Sequence, residues 1–462
     1  MSTAAPADPT VRPAPGVPRP YRFPTFTRTV LDNGLAVIRC HLPGRQVVSA
    51  RLVMEGGITR EPPAQAGIAT LMARMVTEGT ERRSAGDFAD AAEALGADIS
   101  VDAGWDSLQA SLSVPVSRLE AAFDLLAEAV LHPTFPAADV ERLRLERLND
   151  IKQELADPTQ RAQIAFVEAV YTPESPYARQ PGGSAETVAA LGRDDLVAHY
   201  QRSATPMGAT LIVAGDLEGV DTDRIAESLF KDWSGPAPAT VVPQVAEAIT
   251  GTSITLVARP GSAQSVVAMG HVGARRLIPD YYPTVLMATV LGGLFTSRLN
   301  LKLREEKGYT YGARAGFDFR RQPGPFGSTF SAATAVSIPA LTEALTEVRR
   351  MHAGGDGAVT QAELSFAQDY LVGIYPLAFE TPDAISTAIT RWVVYGLPDD
   401  YFETYRPSLQ AVTVDEATEA AARRLHPDRM AIIVVGDPDL AGPLGDVGAG
   451  PVTIVEDPLT DD

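Results

Sequence analysis

Short β-branched apolar runs alternate along this chain with longer stretches in which apolar positions recur every three or four residues. The short runs predict strands at Ala36 to His41, Val47 to Met54, Ile99 to Asp102 and Ser107 to Val114. The longer stretches predict helices near Ala64 to Glu78, Ala85 to Leu95, Pro115 to Leu131 and Ala137 to Leu155. In the second half, hairpin-like strands at Tyr309 to Phe317 and Gly327 to Ala332 precede a long helical stretch from Ile338. Neighbouring strands joined by short turns argue for a mainly antiparallel sheet. Helices grouped apart from the strands place the chain in the α+β class.

The pattern also repeats. Pro206-Met-Gly-Ala-Thr-Leu-Ile-Val-Ala-Gly-Asp216 matches Pro427-Asp-Arg-Met-Ala-Ile-Ile-Val-Val-Gly-Asp437 without a gap, 221 residues later. Each copy follows a polar–apolar helix, Arg193 to Gln201 in one case and Val414 to Arg424 in the other. The β-branched runs Gln46 to Met54 and Gln264 to His271 correspond in the same way. A repeat this long predicts two homologous domains rather than a solenoid. The predicted organisation is a flexible Ala/Pro-rich arm over 1–24, a first domain over 25–233 and a Pro/Gly/Ala linker over 234–251. A second domain over 252–445 and an acidic tail over 446–462 complete it.

Composition narrows the class. Hydrophobic content of 45% and charged content of 21% are those of a globular protein, and no apolar run reaches the roughly 18 residues of a membrane span. A net charge of −19 argues against nucleic acid, which needs a basic footprint. It is compatible with basic peptide substrates, although solubility is the simpler account. The single cysteine, Cys40, lies in an apolar run and reads as a packed thiol. One cysteine allows no internal disulfide and fits a cytoplasmic location.

The amphipathic stretch Gly67-Ile-Ala-Thr-Leu-Met-Ala-Arg-Met-Val-Thr-Glu-Gly-Thr80 carries the most informative departure. It is similar to the metal-binding helix of the pitrilysin-type zinc peptidases, whose signature is H-x-x-E-H. The likeness extends from about Thr29 to Asp437. It includes Gly56-Gly57 to Pro62-Pro63, Asp150-Ile-Lys-Gln-Glu-Leu-Ala-Asp-Pro158, Ser175-Pro-Tyr177 with Gly182-Gly183, and Leu291-Gly-Gly-Leu-Phe-Thr-Ser-Arg-Leu299. Leu303-Arg-Glu-Glu-Lys-Gly-Tyr-Thr-Tyr311 follows. The resemblance implies two homologous α+β domains that form half of a clamshell around a peptide chamber.

At the signature positions the resemblance fails. Thr70 and Arg74 stand where the two His ligands belong, and Ala73 stands where the general base belongs. Asp150 aligns with the family's third ligand, a Glu. Thr is a poor zinc ligand, Ala moves no proton, and Arg repels a cation. An Arg74–Asp150 ion pair is a plausible replacement. The six histidines (His41, His132, His199, His271, His352 and His426) lie far apart in sequence, and ordinary structural roles are expected of them. Glu55, Glu61 and Glu78 read as solvated residues or helix caps.

The resemblance assigns the second half an Arg and a Tyr seven residues apart, Arg304 and Tyr311 here. Arg304 is expected in the last turn of a helix from about Thr296, and Tyr311 on the following strand with Tyr309. In the family the pair completes the active site across the chamber. A Tyr O–H there is an oxyanion donor, and an Arg fork holds substrate carbonyls. Alone, such residues more often cap a helix or pack in a strand. The expected function is thus the non-metal subunit of a heteromeric zinc endopeptidase. A homologous H-x-x-E-H partner would hold the zinc, and this chain would bind none. The alternative is a catalytically inert structural or peptide-binding subunit.

Overall fold

The computed structural model describes residues 16, 19–239 and 242–457. Two six-stranded mixed sheets organise them. The first contains β1 (Thr27–Val30), β2 (Ala36–His41), β3 (Val47–Met54), β4 (Asp98–Ala103), β5 (Leu108–Pro115) and β6 (Thr210–Gly215), in the order β1-β2-β6-β3-β5-β4. The second contains β7 (Ser253–Ala258), β8 (Gln264–Val272), β9 (Ala313–Phe317), β10 (Pro325–Ala333), β11 (Ala431–Gly436) and β12 (Val452–Glu456), in the order β12-β7-β11-β8-β10-β9. Five strands correspond one to one. In both sheets one inner pair is parallel, β2 with β6 and β7 with β11, and the three pairs beyond it are antiparallel.

The repeat read from the sequence is this correspondence. β6 and β11 are six-residue strands buried at every position, 221 residues apart. Their Gly-Asp turns make equivalent hydrogen bonds: Gly44 N–H donates to Asp216 Oδ2 at 2.9 Å and Gly261 N–H to Asp437 Oδ2 at 2.8 Å. A strand buried on both faces reads as an unbroken apolar run because neither face meets water.

What covers the second face comes from the opposite half. The helix Pro158–Val170 follows the first half's long helix but packs on β8 and β11. Its Ala162, Phe166 and Val170 meet Val266, Ala268, Ile433 and Val435. Reciprocally, Pro382–Tyr395 of the second half packs on β3 and β6, with Ile385 and Ile389 against Ile38, Val53 and Ile212. Each half completes the other's core. Segment 234–251 therefore joins interlocked halves, and its end is itself tied down by buried Ile249 and by Glu247 pairing with Arg429 at 2.6 Å.

Several expectations need correction. Most residues of the arm lie outside the described ones. Tyr21 and Phe23 do not behave as a free arm: Phe23 is buried and stacks on Phe402 at 3.8 Å, and Tyr21 meets Phe379 and Tyr375. The acidic tail is also structured as far as described. Val452–Glu456 is strand β12, and the buried Asp457 carboxylate binds Arg259; residues 458–462 lie outside the described ones. The stretch Tyr281–Glu306 is long and apolar enough to span a membrane by length and composition, yet 67% of its apolar window is buried and the helix breaks at Leu294. It is a core element of the second half.

Candidate functional site

The helix that resembles a metal-binding helix is real, at Ile68–Met75. Its N-terminus is held by Glu61, whose carboxylate accepts the N–H of Gly67 at 3.1 Å and of Ala69 at 2.8 Å. A carboxylate there meets the positive end of the helix dipole. Burial nevertheless dominates and pushes its pKa up to about 7, against the two backbone bonds and the nearby Arg179. Gly67 sits at φ +93 with the Gly182–Gly183 loop pressed against it; a Cβ at Gly67 would stand 2.6 Å from the Gly182 carbonyl oxygen. Here glycine is required by both conformation and close approach.

The signature positions are filled with structural contacts. Thr70 donates its hydroxyl to the Pro181 carbonyl at 2.7 Å. Ala73 is buried in the first core. Arg74 pairs with Glu146 at 3.2 Å and with Asp150 at 3.5 Å, both on the facing helix Ala137–Ala156. Glu146 is also held by Arg142, which binds Glu78. A guanidinium thus stands among the carboxylates that a cation would need. Among the described residues no group of three or more His, Cys, Asp or Glu could hold a metal. The donor set does not fit zinc. Of the flanking acids, Glu61 is a buried cap, and Glu55 is not a solvated residue: it takes both Arg60 and a bidentate Arg321 from the other half.

Arg304 and Tyr311 line one cavity of about 1340 Å³ in the second half, with Phe295, Tyr309 and Arg314. Arg304 lies in a wide π-helical turn, Leu301–Glu306, the kind of insertion that re-aims side chains at functional sites. Its guanidinium sits 4.1 Å over the Phe295 ring and 3.5 Å from Glu305. Tyr311 is 94% exposed. Neither Tyr lies on the strand as expected, since β9 starts at Ala313. The Thr310 hydroxyl accepts the Gly312 N–H at 3.1 Å, a local turn that takes the backbone off the strand. Tyr309 packs against the second core, while Tyr311 points outward.

The residue that fixes this loop is buried Asn300, which sequence reasoning missed. Its amide donates to the carbonyls of Leu294 and Ala313, each at 2.9 Å, and its carbonyl accepts the Ala313 N–H at 2.9 Å. One side chain ties the helix start to the strand start and so sets where the Arg304–Tyr311 segment lies. A second miss is His271 with His426, whose rings meet at 4.8 Å. His271 Nε2 accepts the His426 N–H and Nδ1 faces the Val272 carbonyl, so both nitrogens are occupied. Burial depresses its pKa to about 3, which leaves it a neutral structural residue. Cys40 is buried, its thiol pushed up to about 12 by desolvation, and is unreactive.

Comparisons with known proteins agree with one another. Two sequence models match, described as insulinase (peptidase family M16) over residues 36–174 and peptidase M16 inactive domain over residues 190–371. An uncharacterized zinc protease of Mycobacterium tuberculosis (strain ATCC 25618 / H37Rv) is 27% identical over 94% of this chain and 96% of its own. The non-peptidase homolog YmxG of Helicobacter pylori (strain ATCC 700392 / 26695) is 24% identical over 80% of this chain and 84% of its own. Among solved structures, a peptidase M16 inactive domain from Pseudomonas fluorescens superimposes with a TM-score of 0.83 at 26% identity, covering 89% of this chain and 98% of that one. A protease from Helicobacter pylori matches at 0.82 and 16% identity over 90% of this chain and 100% of that one, a likeness of fold alone.

Proposed function

Because the chain belongs to peptidase family M16 and its would-be metal helix holds no zinc ligand set, we propose that it is the non-metal subunit of a two-chain peptidase. A homologous partner with an intact H-x-x-E-H helix would supply the zinc and the general base. This chain would supply Arg304, Tyr311 and part of the chamber wall. The observation that carries this reading is that Arg304 and an almost fully exposed Tyr311 line one large cavity. A tyrosine that served only packing would be expected to rest its ring against the core, as half-buried Tyr309 does.

The role of each group follows from its chemistry. Attack on a peptide carbonyl places negative charge on its oxygen. A Tyr311 O–H aimed at that oxygen donates a hydrogen bond that strengthens as the charge develops. Arg304 offers a planar fork of donors to substrate carbonyls, held in place by the Phe295 ring below it. Substrates would be peptides or unfolded segments able to enter the chamber, in the cytoplasm.

The likeness to a protein called a non-peptidase homolog favours a second reading, an inert structural or peptide-binding subunit. Peptide cleavage by the chain alone, by an H-x-x-E-H homologue from the same genome alone, and by their mixture separates the two. The proposal expects cleavage above the homologue's own level only on mixing, with co-elution of the two chains. Co-elution without added cleavage supports the inert reading.

A further inference from the structure

The residues that line the cavity of Arg304 and Tyr311 carry a formal charge opposite in sign to that of the whole molecule. The chain has 58 Asp and Glu against 39 Lys and Arg. The lining of the cavity nevertheless contains two arginines, Arg304 and Arg314, and no acidic residue. The nearest acids in sequence are engaged elsewhere or on its margin. Glu306 binds Lys302 and Lys307, Glu305 lies beside Arg304, and Asp157 caps the helix that begins at Pro158.

Like Arg28, Arg45, Arg118 and Arg349, Arg314 has a guanidinium with no carboxylate partner among the described residues, and of these it is the one that lines the cavity. Arg298, Arg147 and Arg424 are each held by a carboxylate, Glu363, Glu154 and Asp280 respectively. The side chain of exposed Arg314 has no hydrogen-bond or ion-pair partner among the described residues. It lies on the edge strand β9, in register with Thr329 of β10, which also lines the cavity. Gln264 and Ser331 add neutral polar groups to the same wall. An unpaired guanidinium beside hydroxyl and amide groups is a receptor for a carboxylate. The volume, about 1340 Å³, exceeds the roughly 300–1,000 Å³ typical of small-molecule pockets and favours a chain-like ligand.

We infer that this cavity selects peptide segments bearing acidic side chains, with Arg314 as the residue that recognises the carboxylate. The inference rests on the reading above only for peptide as the ligand. The molecule's overall negative charge is compatible with basic substrates and is accounted for more simply by solubility; the cavity lining favours acidic ones. A basic hollow in an acidic surface attracts anions locally while the rest of the surface repels them.

The test is peptide binding to the full chain alone, by fluorescence anisotropy at low ionic strength. The probes are a labelled glutamate-containing peptide and its glutamine and lysine counterparts. Wild type is expected to bind the glutamate peptide at least about tenfold more tightly than the glutamine peptide, the range of one charge-assisted hydrogen-bond pair. Arg314→Gln should bring the two within about twofold. Arg314→Glu should shift the preference to the lysine peptide. Near-UV circular dichroism checks that both variants fold, as an exposed, unpartnered residue allows. No glutamate preference in wild type, a preference that survives Arg314→Gln, or no binding of any probe overturns the inference. Because no partner is present, selective binding with failed cleavage in the mixture would refute the two-chain reading and leave this inference standing.

Discussion

Replacing Asn300 with Asp changes one nitrogen to oxygen and should disable the loop that presents Tyr311. The side chain is 6% exposed and keeps its shape in the variant. Its amide now donates to the carbonyls of Leu294 and Ala313, while its own carbonyl takes the Ala313 N–H. An ionised Asp keeps the last bond but turns a second negative oxygen toward two carbonyl oxygens. Each buried acceptor left without its donor costs about 1–3 kcal/mol, so the variant should lose about 4 kcal/mol at pH 7. A protonated Asp regains one donor, so about half of that loss should return below pH 4. Urea unfolding at both pH values measures this. In the two-chain cleavage assay the same variant should lower kcat more than it raises KM, because the oxyanion donor is displaced. A variant within about 1 kcal/mol of wild type at pH 7, a loss no larger than an ordinary surface change, would show that Asn300 does not hold the loop.

Three further outcomes are expected. Glu61 has its carboxyl raised from 4.5 to about 7, so the folded state favours its protonated form; stability from this group is full below pH 4.5 and falls by about 3 kcal/mol as pH rises to 7, then stays flat. Glu61→Gln should remove that pH dependence, read as the difference between the two unfolding curves. Thr70→His combined with Arg74→His places two imidazoles four residues apart beside Asp150, a three-ligand set; the double variant should retain zinc through dialysis where wild type does not, and failure to retain it would mean the helix no longer has the family's geometry. Arg74→Ala alone should cost less than about 1 kcal/mol, because its ion pairs with Glu146 and Asp150 are solvent-exposed on both sides.

The elements themselves were legible where one pattern decided them. Ala36–His41, Val47–Met54, Ala85–Leu95 and Val414–Arg424 fall where their periods put them, and the paired Gly-Asp turns exposed the duplication. The reciprocal exchange of helices was hidden because the apolar face of Pro158–Val170 says that it packs, not on which sheet. Tyr309–Gly312 resembles a strand by composition, but the Thr310 turn and the Asn300 clamp act through geometry that spacing does not encode. Asn300, Arg314 and the His271–His426 contact share this property. Each is defined by its surroundings in the fold, whereas Thr70, Ala73 and Arg74 could be judged from residue chemistry alone.

Tyr311 is proposed to act on substrate at a site completed by another chain. The most direct measurement is kcat for peptide cleavage by the mixture of this chain with its H-x-x-E-H homologue, wild type against Tyr311→Phe. The substitution removes one hydroxyl from a ring that is 94% exposed, so the fold is unaffected. That role requires kcat to fall by about a hundredfold or more with little change in KM. Equal kcat for the two would contradict it and leave Tyr311 as a surface residue of a scaffold subunit.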